Sequence, residues 1–345
     1  MPCDLGLPDL HPPQARLCLK AEAFIRSLVP GGFEGRPIIL ALSGGIDSAA
    51  LAVILKALSP RLGSAVVAAH MDHALREESA SDAKACALLC DRLGIGFRAA
   101  RRDVAALAAT WGTGIEDAGR RARYAWLEEI RQEADGFCVA TAHQLDDLAE
   151  DQLMRLIRGA GWPALGGMPA WDGKRRILRP LLMTPKADLE ELLRAAGVPW
   201  REDHTNKDPA YMRNRVRQDI LPLFVRENPD YLAAAAELWR QARLDAIHWN
   251  DAVLEAKLHP LGDDAGCFIS DEALKGASQA LRLRLYKRAV ESLGPGQPLS
   301  AALHGLDEAW RNRSTGKRFQ FPGGKEARVE RGGISFHPGQ PAPRR

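Results

Sequence analysis

The run Ser43-Gly44-Gly45-Ile46-Asp47-Ser48 does most to define a chemistry. It follows Ile38-Ile39-Leu40-Ala41-Leu42, which reads as a buried strand, and leads into Ala49 to Leu58, which reads as a helix. Glycines tolerate positive φ and let a ligand approach the main chain closely. A helix amino end adds free N–H groups and partial positive charge, a ready anion site. Ser43 and Ser48 contribute hydroxyl donors. Asp47 cannot serve a phosphate directly, so its sensible role is to hold Mg²⁺. An SGG alone could be a tight turn; the strand–SGGIDS–helix unit is far more specific. No GxxxxGK[ST] is present, and no GxGxxG follows the first strand, which excludes the NTPase P-loop and the dinucleotide fingerprint. With no lysine beside it in sequence, the loop suits a released pyrophosphate better than γ-phosphoryl transfer. The expected chemistry is adenylation at the α-phosphorus of ATP.

Four further clusters carry reactive side chains. His70-Met71-Asp72-His73-Ala74-Leu75-Arg76 closes a second apolar run. Gly114-Ile115-Glu116 opens a helix bearing Arg120, Arg123 and Tyr124. Thr141-Ala142-His143-Gln144-Leu145-Asp146-Asp147 ends another run and leads to Arg155 and Arg158. Trp200-Arg201-Glu202-Asp203, Asn206 and Tyr211-Met212-Arg213-Asn214-Arg215-Val216-Arg217 precede Leu221-Pro222. Each has an ordinary reading when taken alone. Arg120 and Arg123 could pair with Glu116 on one helix face, and a lone strand-end histidine is usually structural.

The elements that must position these residues alternate. Strands are expected at 38–42, 65–71, 97–104 and 137–142, with helices at 49–58, 79–93, 115–134 and 146–158. This rhythm predicts a parallel sheet covered on both faces. Ligands of such sheets bind beyond the carboxyl ends of the strands, where the clusters after residues 42, 71 and 142 fall. Beyond residue 159 the chain turns Gly- and Pro-rich. An edge strand is expected at 178–182, a helix near 185–196, and an apolar stripe (Leu232, Ala235, Trp239, Ala242, Ala246, Trp249, Val253) marks a long helix. Residues 270–292 read as helical, and 318–321, 326–329 and 333–336 as a small meander. The expected organisation is an N-terminal extension (1–34), a catalytic α/β domain (35–222), a linker helix (223–260) and a small α+β C-terminal domain (261–345).

Bulk properties narrow the class. The chain has 345 residues, 46% hydrophobic and 26% charged, and no apolar run near the ~20 residues of a membrane span. Six scattered cysteines (3, 18, 86, 90, 138 and 267) contain no CxxC pair and read as reduced thiols in a cytoplasmic protein. The net charge of +3 hides an asymmetry: residues 281–345 hold thirteen Lys/Arg and five Asp/Glu, leaving 34 against 39 upstream. A basic tail of about +8 fits either a polyanionic partner or an arginine-rich solvated face.

In order and texture the clusters resemble the tRNA(Ile)-lysidine synthetase family over roughly residues 36–222. Phe321-Pro322-Gly323-Gly324 is similar to the family's closing PGG segment. The resemblance implies a PP-loop domain followed by helical and small C-terminal modules. It implies an enzyme, a C–N ligase that uses ATP and Mg²⁺ to attach L-lysine to the wobble cytidine of the CAU-anticodon isoleucine tRNA. Ser43, Gly44, Gly45, Ile46, Asp47 and Ser48 would hold ATP, with Asp47 and Asp147 toward Mg²⁺. His143 and Asp147 match positions that contact nucleotide or its metal. Arg120 matches the arginine of an E-x-x-x-R-x-x-R-Y helix that holds the activated intermediate, with Arg123 toward tRNA. Arg213, Asn214, Arg215 and Arg217 match an R-N-x-[IVL]-R segment at the catalytic face. No membrane partner is expected, and a homodimer is an open expectation.

Departures are visible. Where many members read H-H-x-D-D-Q-x-E-T, this chain has His143-Gln144-Leu145-Asp146-Asp147-Leu148-Ala149-Glu150-Asp151. Gln144, Leu148 and Asp151 therefore receive no functional assignment. Asp72 stands where asparagine is common, toward either the lysine ammonium or the metal. Rival readings are a tRNA-thiolating PP-loop enzyme, an amide-forming ligase of the NAD or GMP synthetase kind, and a non-catalytic nucleotide or tRNA binder. The first usually needs reactive cysteines, whereas Cys86 and Cys90 lie four apart on an apolar helix face. The second lacks the basic tail and the R-N-x-x-R segment.

Overall fold

The computed structural model describes residues 6–75, 79–201, 211–256, 259–261 and 266–338. Arg76, Glu202, Asp203, Asn206 and Cys3, named above, lie outside the described residues. The chain divides into two compact units, Met1–Ala242 and Arg243–Arg345.

In the first unit the strands are β1 (Ile38–Ala41), β2 (Val66–Asp72), β3 (Gly96–Arg101), β4 (Cys138–Ala140), β5 (Trp171–Asp172) and β6 (Ile177–Leu178). They form one sheet in the order β3-β2-β1-β4-β6-β5, parallel except for β5. The helices are α1 (Pro12–Leu28), α2 (Ile46–Leu62), α3 (Ser79–Leu93), α4 (Val104–Trp111), α5 (Ile115–Glu133), α6 (Leu145–Ile157) and α7 (Lys186–Ala195). After them come α8 (Met212–Arg215), a π-helical turn (Val216–Ile220), α9 (Leu221–Glu227) and the start of α10 (Tyr231–Glu255). The expected parallel α/β architecture is therefore observed.

Helix α2 is apolar on every side, which only a helix enclosed by others can be. Ala49 to Leu55 are fully buried, and α1, α3 and α7 pack around the helix. Each enclosed Leu or Ile contributes about 1.5–3 kcal/mol. The phosphate loop is thus mounted on one of the least deformable elements of the unit.

Two expectations shift. The third strand stops at Arg101 because Asp103 caps α4, its carboxylate accepting the Ala106 N–H at 3.0 Å. Residues 178–182 do not form an edge strand. Only Ile177 and Leu178 pair, between β4 and β5, and the chain then tightens into turns closed by Leu182 N–H to Arg179 O and Thr184 N–H to Leu181 O. Among the described residues no helix is long and apolar enough to cross a membrane.

The second unit holds an antiparallel sheet, β7-β8-β11-β10-β9, made from His259–Leu261, Gly266–Ser270, Gly333–His337, Lys325–Glu330 and Arg318–Phe321 respectively. The expected meander is present, extended by the two strands from the start of the unit. Helices α11 (Asp271–Gly276), α12 (Gln279–Ser292) and α13 (Ser300–Arg311) complete it. Its core centres on Leu285, Tyr286, Leu306, Ile334 and Phe336. Buried Asp307 accepts hydrogen bonds from Arg282, Tyr286 and Gln279, tying α12 to α13.

Candidate active site

The phosphate loop turns between β1 and α2 at Gly44, whose φ of +87° is glycine territory. A Cβ there would also lie 3.2 Å from Cys86 Sγ on α3. Ser48 fixes the turn: its Oγ accepts the N–H groups of Ser43 and Gly44, each at 3.1 Å, and donates to Gly45 O. Gly45 caps α2 with no side chain, so the first N–H groups of the helix meet no side-chain acceptor. The Arg201 N–H bonds to Gly44 O at 3.1 Å, bringing the strand-like segment after α7 against the loop.

Asp47, in the first turn of α2, has a buried Oδ1 without a hydrogen-bond partner. Burial first, and then the Asp147 charge, push its pKa up to about 6; Lys186 and Arg217 act the other way, and Asp146 adds to the rise. The charge of Lys186 thus acts on Asp47 of the loop, although the sequence shows no lysine nearby. The Lys186 N–H also bonds to Asp146 Oδ2 at 3.0 Å, joining α7 to α6.

Helix α6 presents Asp146, Asp147 and Glu150. Asp147 Oδ1 accepts from Arg213 at 2.8 Å and Arg217 at 3.1 Å. Glu150, 1% exposed, accepts the Nε–H of both arginines at 2.8 and 2.5 Å. The R-N-x-x-R segment is thereby clamped onto the carboxylates beside the phosphate loop. Arg215 of the same segment is exposed, and Asn214 is half-buried.

His143 lies just past β4, its Nδ1 2.9 Å from Thr141 Oγ1. Burial, and then the charges of Arg179, Arg213, Arg120 and Arg123, push its pKa down to about 3, so the ring is neutral at physiological pH. Arg120 is exposed, its guanidinium 5.0 Å over the Tyr124 ring; Arg123 lies 5.8 Å from the same ring. Gly119 lets α5 close on β2, since a Cβ there would come within 2.9 Å of His73 Nδ1.

The departures acquire local roles. Gln144 caps α6, its Oε1 accepting the Asp146 and Asp147 N–H groups while Asp147 Oδ2 accepts the Gln144 N–H at 3.2 Å. Leu148 is core, and Asp151 pairs with Arg155 at 2.7 Å. Asp72 accepts the Ala74 N–H at 2.8 Å and faces Arg101 at 3.5 Å. Cys86 and Cys90 are buried, and burial pushes both thiols up to about 12. Cys86 Sγ rests 3.4 Å from His70 Nδ1, which itself lies 2.9 Å from Leu42 O. These thiols are packing groups, as their helix face predicts.

Sequence reading missed Glu150, Lys186 and Arg179. The signals were present: Glu150 shares a helix face with Asp146 and Asp147 at i+4 and i+3 respectively, Lys186 opens α7, and Arg179 is the first residue past a parallel strand.

The residues fit Mg²⁺ as a shared ligand. Among the described residues no group of three or more His, Cys, Asp or Glu is arranged to hold a metal ion alone. The unpartnered Asp47 oxygen matches a hard cation that takes one or two carboxylates and completes its shell with phosphates and water.

A glycine loop between the first strand and a buried helix, at the carboxyl edge of a parallel sheet, defines an ATP-binding protein of the PP-loop class. The PP-loop domain family matches residues 16–224. The chain is 43% identical to the tRNA(Ile)-lysidine synthase of Nitratidesulfovibrio vulgaris over 321 residues, covering 88% of this chain and 92% of that one. It is 36% identical to the enzyme of the same name from Thermus thermophilus over 308 residues, covering 88% of this chain but 57% of that longer one. The U34-tRNA thiolase NcsA from Methanococcus maripaludis shares the fold, with a TM-score of 0.52 at 16% identity over 65% of this chain and 77% of that one. The chain belongs to the tRNA(Ile)-lysidine synthase family.

Proposed function

We propose that the chain ligates lysine to the wobble cytidine of the CAU-anticodon isoleucine tRNA, with ATP activating the base. The observation that carries this reading is the pairing of Arg213 and Arg217 of the R-N-x-x-R segment with Asp147 and Glu150, with the Asp147 charge acting on Asp47 of the phosphate loop. On this reading the pyrophosphate-side and base-side groups share one site. In the first half-reaction the cytosine carbonyl oxygen attacks the α-phosphorus, and the bond to pyrophosphate breaks. The α2 amino end and the arginines stabilise the negative charge that gathers there. Asp47, with Asp147, would hold Mg²⁺, which when bound neutralises phosphate charge.

In the second half-reaction the lysine ε-amine attacks the activated ring carbon and AMP leaves. A free amine of that kind has a pKa near ~10.4, so a proton must be taken up. His143 is a poor acceptor, with its pKa near 3. Asp147 is engaged by two guanidiniums, while burial raises the pKa of Asp146. Asp146 is the acceptor this site favours. Incubation with ATP, labelled lysine and unmodified CAU-anticodon isoleucine tRNA tests the reading. We expect label on the RNA with one AMP released per lysine; ATP turnover that leaves the RNA unlabelled overturns it.

A further inference from the structure

Arg179 stands directly after β6, at the sheet edge where the site is built, and is 7% exposed. Its Nη1 donates to the Pro169 carbonyl at 2.6 Å, and its Nε is buried with no acceptor. Among the described residues no carboxylate forms an ion pair with it. Arg131, Arg213, Arg217 and Arg282, by contrast, each hold a carboxylate. Burying a cation without a counter-charge is costly.

The position of this cation relates it to the site. The Thr141 N–H bonds to Leu178 O at 2.9 Å, so the β4–β6 ladder sets Arg179 beside Thr141, whose hydroxyl meets His143. Of the charges acting on His143, that of Arg179 is the strongest. Tyr124 and Arg120 of α5 act on Arg179 in turn, with Asp172 and Asp151 as its carboxylate influences. Arg179 is thus a buried cation beside a neutral imidazole that lacks a paired carboxylate among the described residues, and an anion would supply the counter-charge.

We infer that Arg179 receives a phosphate group of a substrate next to His143. The planar guanidinium fork suits phosphate oxygens. The phosphate belongs either to the nucleotide or to the RNA backbone flanking the modified base. The inference rests on the reading that this site takes ATP and tRNA.

The test uses the full chain carrying Arg179→Met, with Arg179→Gln as a second variant that keeps a donor for Pro169 O. Binding of a non-hydrolysable ATP analogue and of a CAU anticodon stem-loop RNA is measured separately. Loss of a charged hydrogen bond predicts a drop on the order of 10- to 100-fold for one ligand, with the other unchanged. A drop confined to the analogue assigns the nucleotide phosphate. A drop confined to RNA, with the log–log salt slope smaller by about one, assigns the backbone. Wild-type affinity for both ligands in either folded variant overturns the inference, as does an equal loss of both accompanied by a lowered melting temperature. Wild-type protein that binds neither ligand sinks the functional reading as well, so the two failures are distinguishable.

Discussion

At the scale of single residues the site is held together by charges that folding alone would not favour. Asp47 is the clearest case, a carboxylate whose buried oxygen has no partner and whose pKa is raised from 3.8 to about 6. A raised carboxylate pKa means that the folded state holds the proton more tightly than the unfolded chain. The penalty is therefore absent below the unfolded value, grows between the two, and is complete above about pH 6. At about 1.4 kcal/mol per unit it is of the order of 3 kcal/mol. Asp47→Asn should be more stable than the parent at pH 8, with the gain fading below pH 6 and gone below about pH 4. The same variant should lose lysine-dependent AMP release. Melting curves at several pH values and an AMP assay check both halves. A pH-independent stability difference would refute the assigned pKa, and near-normal turnover would remove Asp47 from the mechanism.

At the scale of elements, α6 shows how one helix start serves folding and chemistry together. Asp147 uses Oδ2 to complete the Gln144 capping box and Oδ1 to receive two arginines. Gln144→Ala should cost about 1 kcal/mol, as other N-cap deletions do. It should also weaken ATP binding, because the turn bearing Asp146 and Asp147 frays. Urea unfolding and nucleotide titration check this, and an unchanged midpoint would show that the cap contributes nothing. The boundary of this helix was legible in the sequence, and the role of Gln144 was not, because glutamine is an uncommon cap. The β1–loop–α2 unit, the parallel order and the C-terminal meander were equally legible, since hydrophobic period and glycine placement are local signals. Lys186, Glu150 and Arg179 were not, because their importance lies in neighbours: Lys186 is 40 residues from Asp146, and Glu150 is 63 from Arg213. Spacing along the chain carries no record of such pairs. The early end of the third strand has a different cause: an aspartate cap outweighs the apolar Val104 that extends the strand pattern.

At the scale of the whole molecule, the uneven distribution of charge is the feature with a functional consequence. Residues 281–345 hold thirteen Lys/Arg against five Asp/Glu, whereas the chain before them is net acidic. The first unit is close to neutral, with 31 Lys/Arg against 32 Asp/Glu over residues 1–242, and most of the acidic excess lies in residues 243–280, with three against seven; we propose that the basic 281–345 stretch of the second unit supplies the non-specific attraction to RNA through phosphate contacts. That unit has its own core and its own Asp307–Arg282 tie between helices, independent of the ATP site. Strand β7 at His259–Leu261 belongs to the C-terminal sheet, so a cut at residue 260 would split it, whereas a stop after Ala256 leaves α10 whole. A chain ending at Ala256 should bind ATP as the full chain does. It should bind tRNA more weakly, with a shallower dependence of log K on log salt, because each lost phosphate contact removes about 0.9 from the slope on a duplex and about 0.7 on a single strand. Parallel titrations of both proteins at several salt concentrations measure this. Equal tRNA affinity and equal slopes would place the RNA grip within the first unit and leave the basic tail as a solvated surface.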